Sequence, residues 1–396
     1  MRLALGLVAV LASAAHAEDV TLDQALAAGT RAPALPIALA ETASAEARVS
    51  AAGAWPAPTV RVETNRLTAH LVAGVAVPLP ILGTIGAAKR EAAAHANRVR
   101  AEGSGAQREI RHRIILAWLA LAKADADVAA LTIAAKQAAD LETIAKGRLD
   151  AGAGADVDVM AAHAARIRAD LAVASAAHEE DATAAQLAGQ LGWDPLRALR
   201  SAGPLPGGTI TLDALRATLG SHPDRVIALR RIEESEAIVE SARVLRRPSL
   251  AFEVQGSWLD PTQPGTDVLL ALALDVPIFS RVGDQVRAAQ AQTTAERARL
   301  AAGDAQLGGD LIAAFRRWEA ATERLTVLER DVLPVQDRAT TLASQAYREG
   351  ARDLASALQA ERDRTAVRTE IAEAKITAAT AWIELTLAAG GDPGAR

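Results

Sequence analysis

The sequence predicts a mainly α-helical protein with two β-hairpins, in which one unit of helix, β-hairpin and long helical hairpin is written twice. Three observations predict this fold class. The chain of 396 residues is rich in good helix formers, above all alanine, and only 3% of its residues are aromatic. Two stretches alternate apolar and polar residues with the period of a β-strand. Motifs of the first half recur in the second half in the same order, which indicates duplication.

The first 17 residues have the pattern of a secretory signal peptide. Arg2 precedes an apolar run from Leu3 to Ala12, and Ala15-His16-Ala17 has the small-x-small form that signal peptidase cleaves. We therefore expect residues 1–17 to be removed and the mature chain to begin at Glu18. The absence of cysteine excludes disulfides and a thiol-linked lipid anchor.

The remaining apolar runs are too short for a membrane-spanning helix. The longest, from Ile114 to Ala122, is far below the ~20 residues that a helix needs to cross a bilayer. If the protein crosses a membrane, β-strands must do so, because helices and closed barrels are the structures that satisfy their own backbone groups in lipid.

The internal repeat extends over nearly the whole mature chain. The matched motifs are VTLDQAL at Val20 with ITLDALR at Ile210, PTVRVE from Pro58 with PSLAFE from Pro248, and Gly152 with Gly350. A cluster of proline and glycine from Gly203 to Gly208 suits a linker. The sequence therefore predicts a first repeat at 18–202, a linker at 203–209 and a second repeat at 210–396.

The second β-hairpin, at about residues 248–277, has one apolar face. Alternation places six apolar residues on this face: Leu250, Phe252, Val254, Leu270, Leu272 and Leu274. Glu253 and Asp275 fall on the opposite face. Strands of about ten residues with this alternation fit a membrane β-barrel, which has a wet interior, so the six residues would face lipid. The alternative is a half-buried hairpin in a soluble sheet. The first hairpin, at about 58–78, shows the same alternation over shorter strands.

Long helices follow each hairpin, at about 84–191 in the first repeat and about 284–390 in the second. The helix from about Thr84 to Asp150 would be on the order of 100 Å long at 1.5 Å per residue, and its return partner starts at Asp156. Helix-weakening glycines interrupt both repeats, as Gly103-Ser104-Gly105 and as Gly308-Gly309. We expect bends or local disorder at these two places.

Several functional classes are excluded or lack support. The net charge of −5, with acidic and basic residues interspersed, provides no basic stripe for nucleic acid. The seven histidines are dispersed, and neither an HExxH motif nor a phosphate-binding loop is present. Paired carboxylates such as Glu179-Glu180 fall on predicted helix surfaces, where they are typically solvated. We therefore expect no enzyme activity, no cofactor and no metal site.

The sequence resembles the TolC-like outer membrane efflux channels, in particular those that serve heavy-metal and drug exporters of the resistance-nodulation-division class. Each repeat has a membrane-type hairpin between helices and a turn of the form Gly-x7-[Leu/Met]-x-Ala. The most specific stretches are RLDAGAGADVDVMAAHAAR from Arg148, AYREGARDLASALQAER from Ala346 and VPIF from Val276. The pattern does not distinguish metal ions from drugs as cargo.

This resemblance implies a trimeric α/β-barrel channel-tunnel. Each subunit of the homotrimer would supply four strands to one shared barrel in outer membrane lipid, and its long helical hairpins to a tunnel across the periplasm. The channel would be passive, and it would work with a periplasmic adaptor protein and an inner-membrane efflux pump as partners.

The resemblance also implies an entrance at the two glycine turns, Gly152 and Gly350, which would lie at the periplasmic tips. In the best-known member of the family, a tyrosine and an arginine beside the second turn bind an aspartate beside the first turn and hold the entrance closed. The matching residues here are Tyr347, Arg352 and Asp158. The alternative for Arg352 and Asp158 is that they are ordinary solvated charges.

One element of the family's gate is changed in this sequence. The acidic ring that narrows the pore in that family member corresponds to Ser356 and Gln359, which are uncharged. A cation-binding ring is therefore not expected at these positions.

Two other classes of export protein share some of these features. A periplasmic adaptor has a signal peptide and a long helical hairpin, but it contains that hairpin once and needs a lipoyl-like domain. A coiled-coil scaffold lacks strands such as those at 250–258 and 268–276. The duplication argues against the first class, and the alternating strands argue against the second.

Overall fold

The computed structural model describes residues 17–65, 70–258, 267–277 and 281–392. The predicted signal peptide lies outside the described residues except for Ala17, and so do Ile278 and Phe279 of the VPIF motif. Helices account for 74% of the model, and strands are present as well. The predicted mainly helical fold class is confirmed.

The elements follow the same order in both halves of the chain. In the first half they are β1 (Glu18–Thr21), α1 (Leu22–Ala28), α2 (Leu35–Ala52), β2 (Thr59–Asn65), β3 (His70–Pro78), α3 (Thr84–Asp150) and α4 (Asp156–Leu191). In the second half they are β4 (Leu199–Ala202), α5 (Leu212–Thr218), α6 (Pro223–Val244), β5 (Ser249–Trp258), β6 (Asp267–Asp275), α7 (Val282–Val327), α8 (Leu333–Arg348) and α9 (Leu354–Ala388). Short 3-10 turns follow α1 and α5.

The chain forms two compact units, and both halves contribute to each unit. The first unit comprises the described residues of 17–35, 108–219 and 308–392, and the second comprises those of 36–107 and 220–307. None of the helices within the described residues combines the length and apolar composition of a membrane span.

The core of the first unit is built around Trp118, which is fully buried. Its indole nitrogen donates a hydrogen bond of 2.8 Å to the carbonyl oxygen of Val20 in β1, which satisfies the polar end of a large apolar side chain. Strand β1 pairs in parallel with β4, with Glu18 opposite Leu199. The side chains that pack around Trp118 are small and aliphatic, including Ile114, Leu119, Leu187 and Ala188. Alanines of the same cluster, such as Ala184 and Ala188, let the helices pack closely around this indole ring.

The second unit contains a four-stranded antiparallel sheet in the order β2-β3-β5-β6. Strands β2 and β3 form one hairpin, and β5 and β6 form the other. The two hairpins join through β3 and β5, where Val75 lies opposite Val254. The duplicated hairpins therefore form one continuous sheet, with β2 and β6 as its edge strands.

The predicted local disorder at the glycine clusters is wrong, because both places are helical. The predicted bends stay a prediction. Helix α3 continues through Gly103-Ser104-Gly105, and α7 continues through Gly308-Gly309. A β-carbon at Gly103 would lie 3.2 Å from the Thr42 hydroxyl of α2, tighter than most such contacts. Glycine at 103 thus permits α2 and α3 to approach closely. At 308 and 309 an added β-carbon would meet nothing within 4 Å.

The second long helix instead contains a π-helical turn that the sequence analysis missed. This turn spans Leu328–Val332, between α7 and α8. Pro334 follows directly, and proline has no N–H group to donate to the preceding helical turn. The backbone N–H of Leu333 donates to the carbonyl of Leu328, five residues earlier, so one wider turn accommodates the proline.

Candidate functional site

Both helical hairpins of the first unit end in the same turn. We call residues 151–155, between α3 and α4, the first turn, and residues 349–353, between α8 and α9, the second turn. Gly152 has φ +71° and Gly350 has φ +77°, the left-handed region that glycine adopts without strain. The backbone N–H of Ala153 donates a hydrogen bond of 2.8 Å to the backbone carbonyl of Arg148. The N–H of Ala351 donates one of 2.8 Å to the backbone carbonyl of Ala346. Both turns are therefore Schellman motifs, and the repeated glycines have a common structural role.

A small apolar cluster lies beside the two turns, and Tyr347 is its largest member. This residue is the only tyrosine of the chain, and only 1% of its surface is exposed. Its neighbours come from helices of both repeats and are Leu141, Ala145, Ala162, Leu354 and Ala357. The cluster thus brings the ends of the two helical hairpins together.

Arg148 connects the first turn to the second. Its guanidinium carbon lies 4.8 Å from the centroid of the Tyr347 ring, within the range of a cation–π contact. One terminal nitrogen donates to the carbonyl of Tyr347, and the other donates a hydrogen bond of 3.0 Å to the carbonyl of Ala153. The sequence analysis did not select Arg148. One available signal was that its counterpart in the second repeat is Ala346, so the repeat is broken at this position.

The expected hydrogen bond of the Tyr347 hydroxyl is absent from the part of the chain that the structure describes. Asp158 nevertheless lies close enough to act on Tyr347 electrostatically. Burial, and after it the negative charge of Asp158, raise the pKa of the Tyr347 hydroxyl, while the positive charge of Arg148 acts in the opposite direction. The ring and the backbone carbonyl of Tyr347, not its hydroxyl, therefore make its polar contacts within one chain.

The other predicted gate residues lie near the second turn but do not all meet. Arg352 is exposed and Asp158 is half-buried, and within the single described chain no ion pair joins them. The backbone N–H of Ser356 donates a hydrogen bond of 3.1 Å to Asp353, which makes Asp353 the N-cap of α9. The hydroxyl of Ser356 donates to the same carboxylate, and this bond, followed by the backbone one, lowers the pKa of the Asp353 carboxyl. The amide of Gln359 donates to Asp363 over 2.8 Å.

A buried carboxylate, Glu142 of α3, lies on the same helical hairpin. Only 5% of its surface is exposed. Its carboxylate oxygens lie 2.6 Å from Lys146 Nζ, 2.6 Å from Arg166 Nε and 3.1 Å from His163 Nδ1. The hydrogen bond from Lys146, followed by those from Arg166 and His163, lowers the pKa of Glu142 to about 2 despite its burial. The sequence analysis missed this cluster because its members come from two helices.

The sheet of the second unit has one apolar face that extends across all four strands. Residues paired directly across strands share a face, and the apolar pairs include Val60 with Val75, Val75 with Val254, and Val254 with Leu270. The six predicted residues Leu250, Phe252, Val254, Leu270, Leu272 and Leu274 all lie on this face. The opposite face carries Glu253, Gln255 and several alanines. The apolar face is open, with Leu270 65% and Leu272 63% exposed.

Solved structures similar to this one include outer membrane proteins. The outer membrane protein VceC of Vibrio cholerae is 18% identical with a TM-score of 0.77, and the match covers 93% of this chain and 96% of that chain. The CmeC outer membrane channel of Campylobacter jejuni is 14% identical with a TM-score of 0.77, over 95% and 87% of the two chains. For CusC the identity is 15%, the TM-score is 0.77, and the coverage is 94% and 92%. A search of curated protein sequences returns no match.

The family model of the outer membrane efflux protein matches residues 214–391. This part of the chain is therefore similar to the outer membrane efflux protein family. The matched range lies in the second repeat and includes the second turn, with Tyr347 and Gly350. Outside the matched range, the first repeat carries the corresponding glycine turn at Gly152, with the same backbone hydrogen bonds.

Proposed function

We propose that the protein is the outer membrane channel of a tripartite efflux system, and that it conducts substrates passively. The observation that carries this proposal is the open apolar face of the four-stranded sheet. Monomeric soluble proteins rarely expose a contiguous apolar patch of this kind. Outer membrane strands present such a band to lipid and a polar face to water. The six residues from Leu250 to Leu274 listed above would therefore contact lipid.

Assembly into a homotrimer would remove the free edges of this sheet. Strands β2 and β6 each have one side without a neighbouring strand in the described sheet, and open edges are not tolerated within the hydrocarbon region. A barrel of three such sheets, as the family resemblance implies, pairs every edge strand with a strand of the next subunit. Membrane insertion and trimer assembly are then one coupled event.

The partners follow from the same proposal. A passive channel needs another protein to supply energy, and the sequence contains no phosphate-binding loop. An inner-membrane pump would supply the energy, and a periplasmic adaptor protein would connect the pump to the channel. The first and second turns, with Gly152 and Gly350, would lie at the periplasmic end of the channel.

We place the entrance at these turns. Arg352 and Asp158 carry opposite charges and are unpaired with each other within one chain, so they are available to pair between neighbouring subunits of the trimer. Ser356 and Gln359 would lie further in. Their side chains bond to Asp353 and Asp363 of their own helix, so this part of the entrance is polar.

Expression with the native signal peptide, followed by fractionation and planar bilayer recording, tests the proposal. We expect a mature chain that begins near Glu18, trimers in the outer membrane fraction, and discrete conductance steps from the purified trimer. Recovery as a soluble periplasmic monomer, or in the inner membrane, would contradict the channel function. A chain without residues 1–17 is the matched control, because without the signal peptide it should form no pore in the outer membrane.

A further inference from the structure

We propose that Arg148 is a positioning residue that holds the channel entrance closed by tying the first turn to the second turn. This inference rests on the proposed channel function and goes beyond the pairing of Arg352 with Asp158. Its basis is a set of contacts inside one chain. Arg148 belongs to the last turn of α3, whereas all of its contacts to Tyr347 cross to the other helical hairpin.

The side chain of Arg148 makes three contacts at once. Its guanidinium donates to the backbone carbonyls of Ala153 and Tyr347 and stacks on the Tyr347 ring. Planar geometry with several donors permits this combination, and a lysine ammonium cannot reproduce it. Hydrogen bonds from a charged donor are stronger than neutral ones, so Arg148 makes a strong polar connection between the two turns.

The carbonyl oxygen of Tyr347 accepts a hydrogen bond from Arg148. This oxygen also accepts the backbone hydrogen bond from Gly350, at 3.1 Å, that closes the Schellman motif of the second turn. Arg148 therefore binds a structural atom of the second turn and not a mobile side chain. A β-carbon at Gly350 would lie 3.5 Å from a terminal nitrogen of Arg148, so the guanidinium packs directly on this turn.

The contact between Arg148 and Tyr347 breaks the symmetry of the repeat. The positions that correspond to Arg148 and Tyr347 in the other repeat are Ala346 and Leu149, which cannot form a second copy of the contact. We call the contact between Arg148 and Tyr347 the tie. Each chain has it once, from the first repeat to the second. Loss of the tie frees the two helical hairpins of a chain to separate at their ends.

Planar bilayer recording of purified trimers tests this role with Arg148→Met, which keeps an apolar stem of similar length and removes the donors. We expect the open fraction to rise about tenfold, the ratio that corresponds to the loss of ~1.4 kcal/mol. Arg148→Lys should fall between wild type and Arg148→Met. Arg168→Met, which changes an exposed arginine of α4, is the matched control and should behave as wild type. Functional channels with an unchanged open fraction in both Arg148 variants would overturn the proposal.

Chemical nitration supplies a readout that does not depend on conductance. Tyr347 is the only tyrosine and the chain has no cysteine, so tetranitromethane has a single tyrosine target and no thiol to oxidise. We expect Arg148→Met to increase the nitration rate of Tyr347 about tenfold, as the two turns separate, and Arg168→Met to leave it unchanged. If the wild type forms no channel but nitration responds to Arg148→Met, the channel function fails and the tie remains. Equal nitration rates would refute the tie itself.

Discussion

Phe252 and Leu272 lie directly opposite each other across strands β5 and β6, on the same face of the sheet as Val77 of β3. Both side chains are exposed, at 39% and 63%. The neighbour Ala273 lies on the other face, opposite Ala251. Leu272 and Ala273, which are adjacent in β6, therefore lie on the two faces that the proposed function assigns to lipid and to water.

Leu272→Arg should reduce the amount of assembled trimer far more than Ala273→Arg. A charge on the lipid face costs ~2–4 kcal/mol at mid-membrane, whereas a charge on the wet face remains hydrated. The yield of trimer on semi-native gels of the outer membrane fraction measures the difference. Equal losses for the two substitutions would mean that the apolar face does not contact lipid.

Arg352→Ser should increase the conductance of the purified channel. An exposed ion pair contributes only ~0–1 kcal/mol, but three symmetry-related pairs with Asp158 could together shift a closed-to-open equilibrium by up to about a hundredfold. Asp158→Asn should have the same effect, and the double variant should exceed neither single variant, because both changes remove the same pair. Unchanged conductance in all three variants would identify the two residues as solvated charges.

Gly350→Ala and Gly152→Ala should both destabilise the helical hairpins. A left-handed backbone conformation costs a residue with a side chain ~1–2 kcal/mol, and Gly350 additionally lies against the Arg148 guanidinium. Gly303→Ala in α7 is the matched control, because a β-carbon there meets nothing and alanine favours a helix by ~1 kcal/mol. Thermal unfolding should show opposite signs for the turn variants and the control. A stabilising Gly350→Ala would contradict the assigned turn geometry.

Acidification should weaken the helical hairpin around Glu142. The pKa of this carboxyl is lowered from 4.5 to about 2 by its hydrogen bonds to Lys146, Arg166 and His163. A group with a lowered pKa in the folded state contributes stability above its unfolded pKa, and this contribution is lost as pH falls from about 4.5 toward 2. Glu142→Gln should lower the melting temperature at pH 7 and remove this part of the pH dependence.

The matched control for acidification is Glu179→Gln, which changes an exposed glutamate of α4. It should leave the melting temperature and its pH dependence close to those of the wild type. If Glu142→Gln retains the full loss of stability between pH 4.5 and pH 2, other carboxylates are responsible for it.

The sequence by itself determined the features that depend on local order along the chain. The bounds of α3 at Thr84 and Asp150 and the start of α4 at Asp156 agree with the predicted ones, because helical periodicity and the glycine turn are local signals. The faces of β5 and β6 were predictable as well, since alternation assigns each side chain to one side of a strand.

Only the tertiary structure decided which distant residues meet. Three contacts join segments that are separate in the sequence: the pairing of β3 with β5, the position of Arg148 beside Tyr347, and the hydrogen bond from Arg166 to the buried Glu142. The helical state of Gly103 and Gly308 was likewise not predictable from local sequence. The surrounding helix outweighed a helix-propensity cost of ~1 kcal/mol for each glycine. Local periodicity carries no information on long-range packing, and packing determines these contacts.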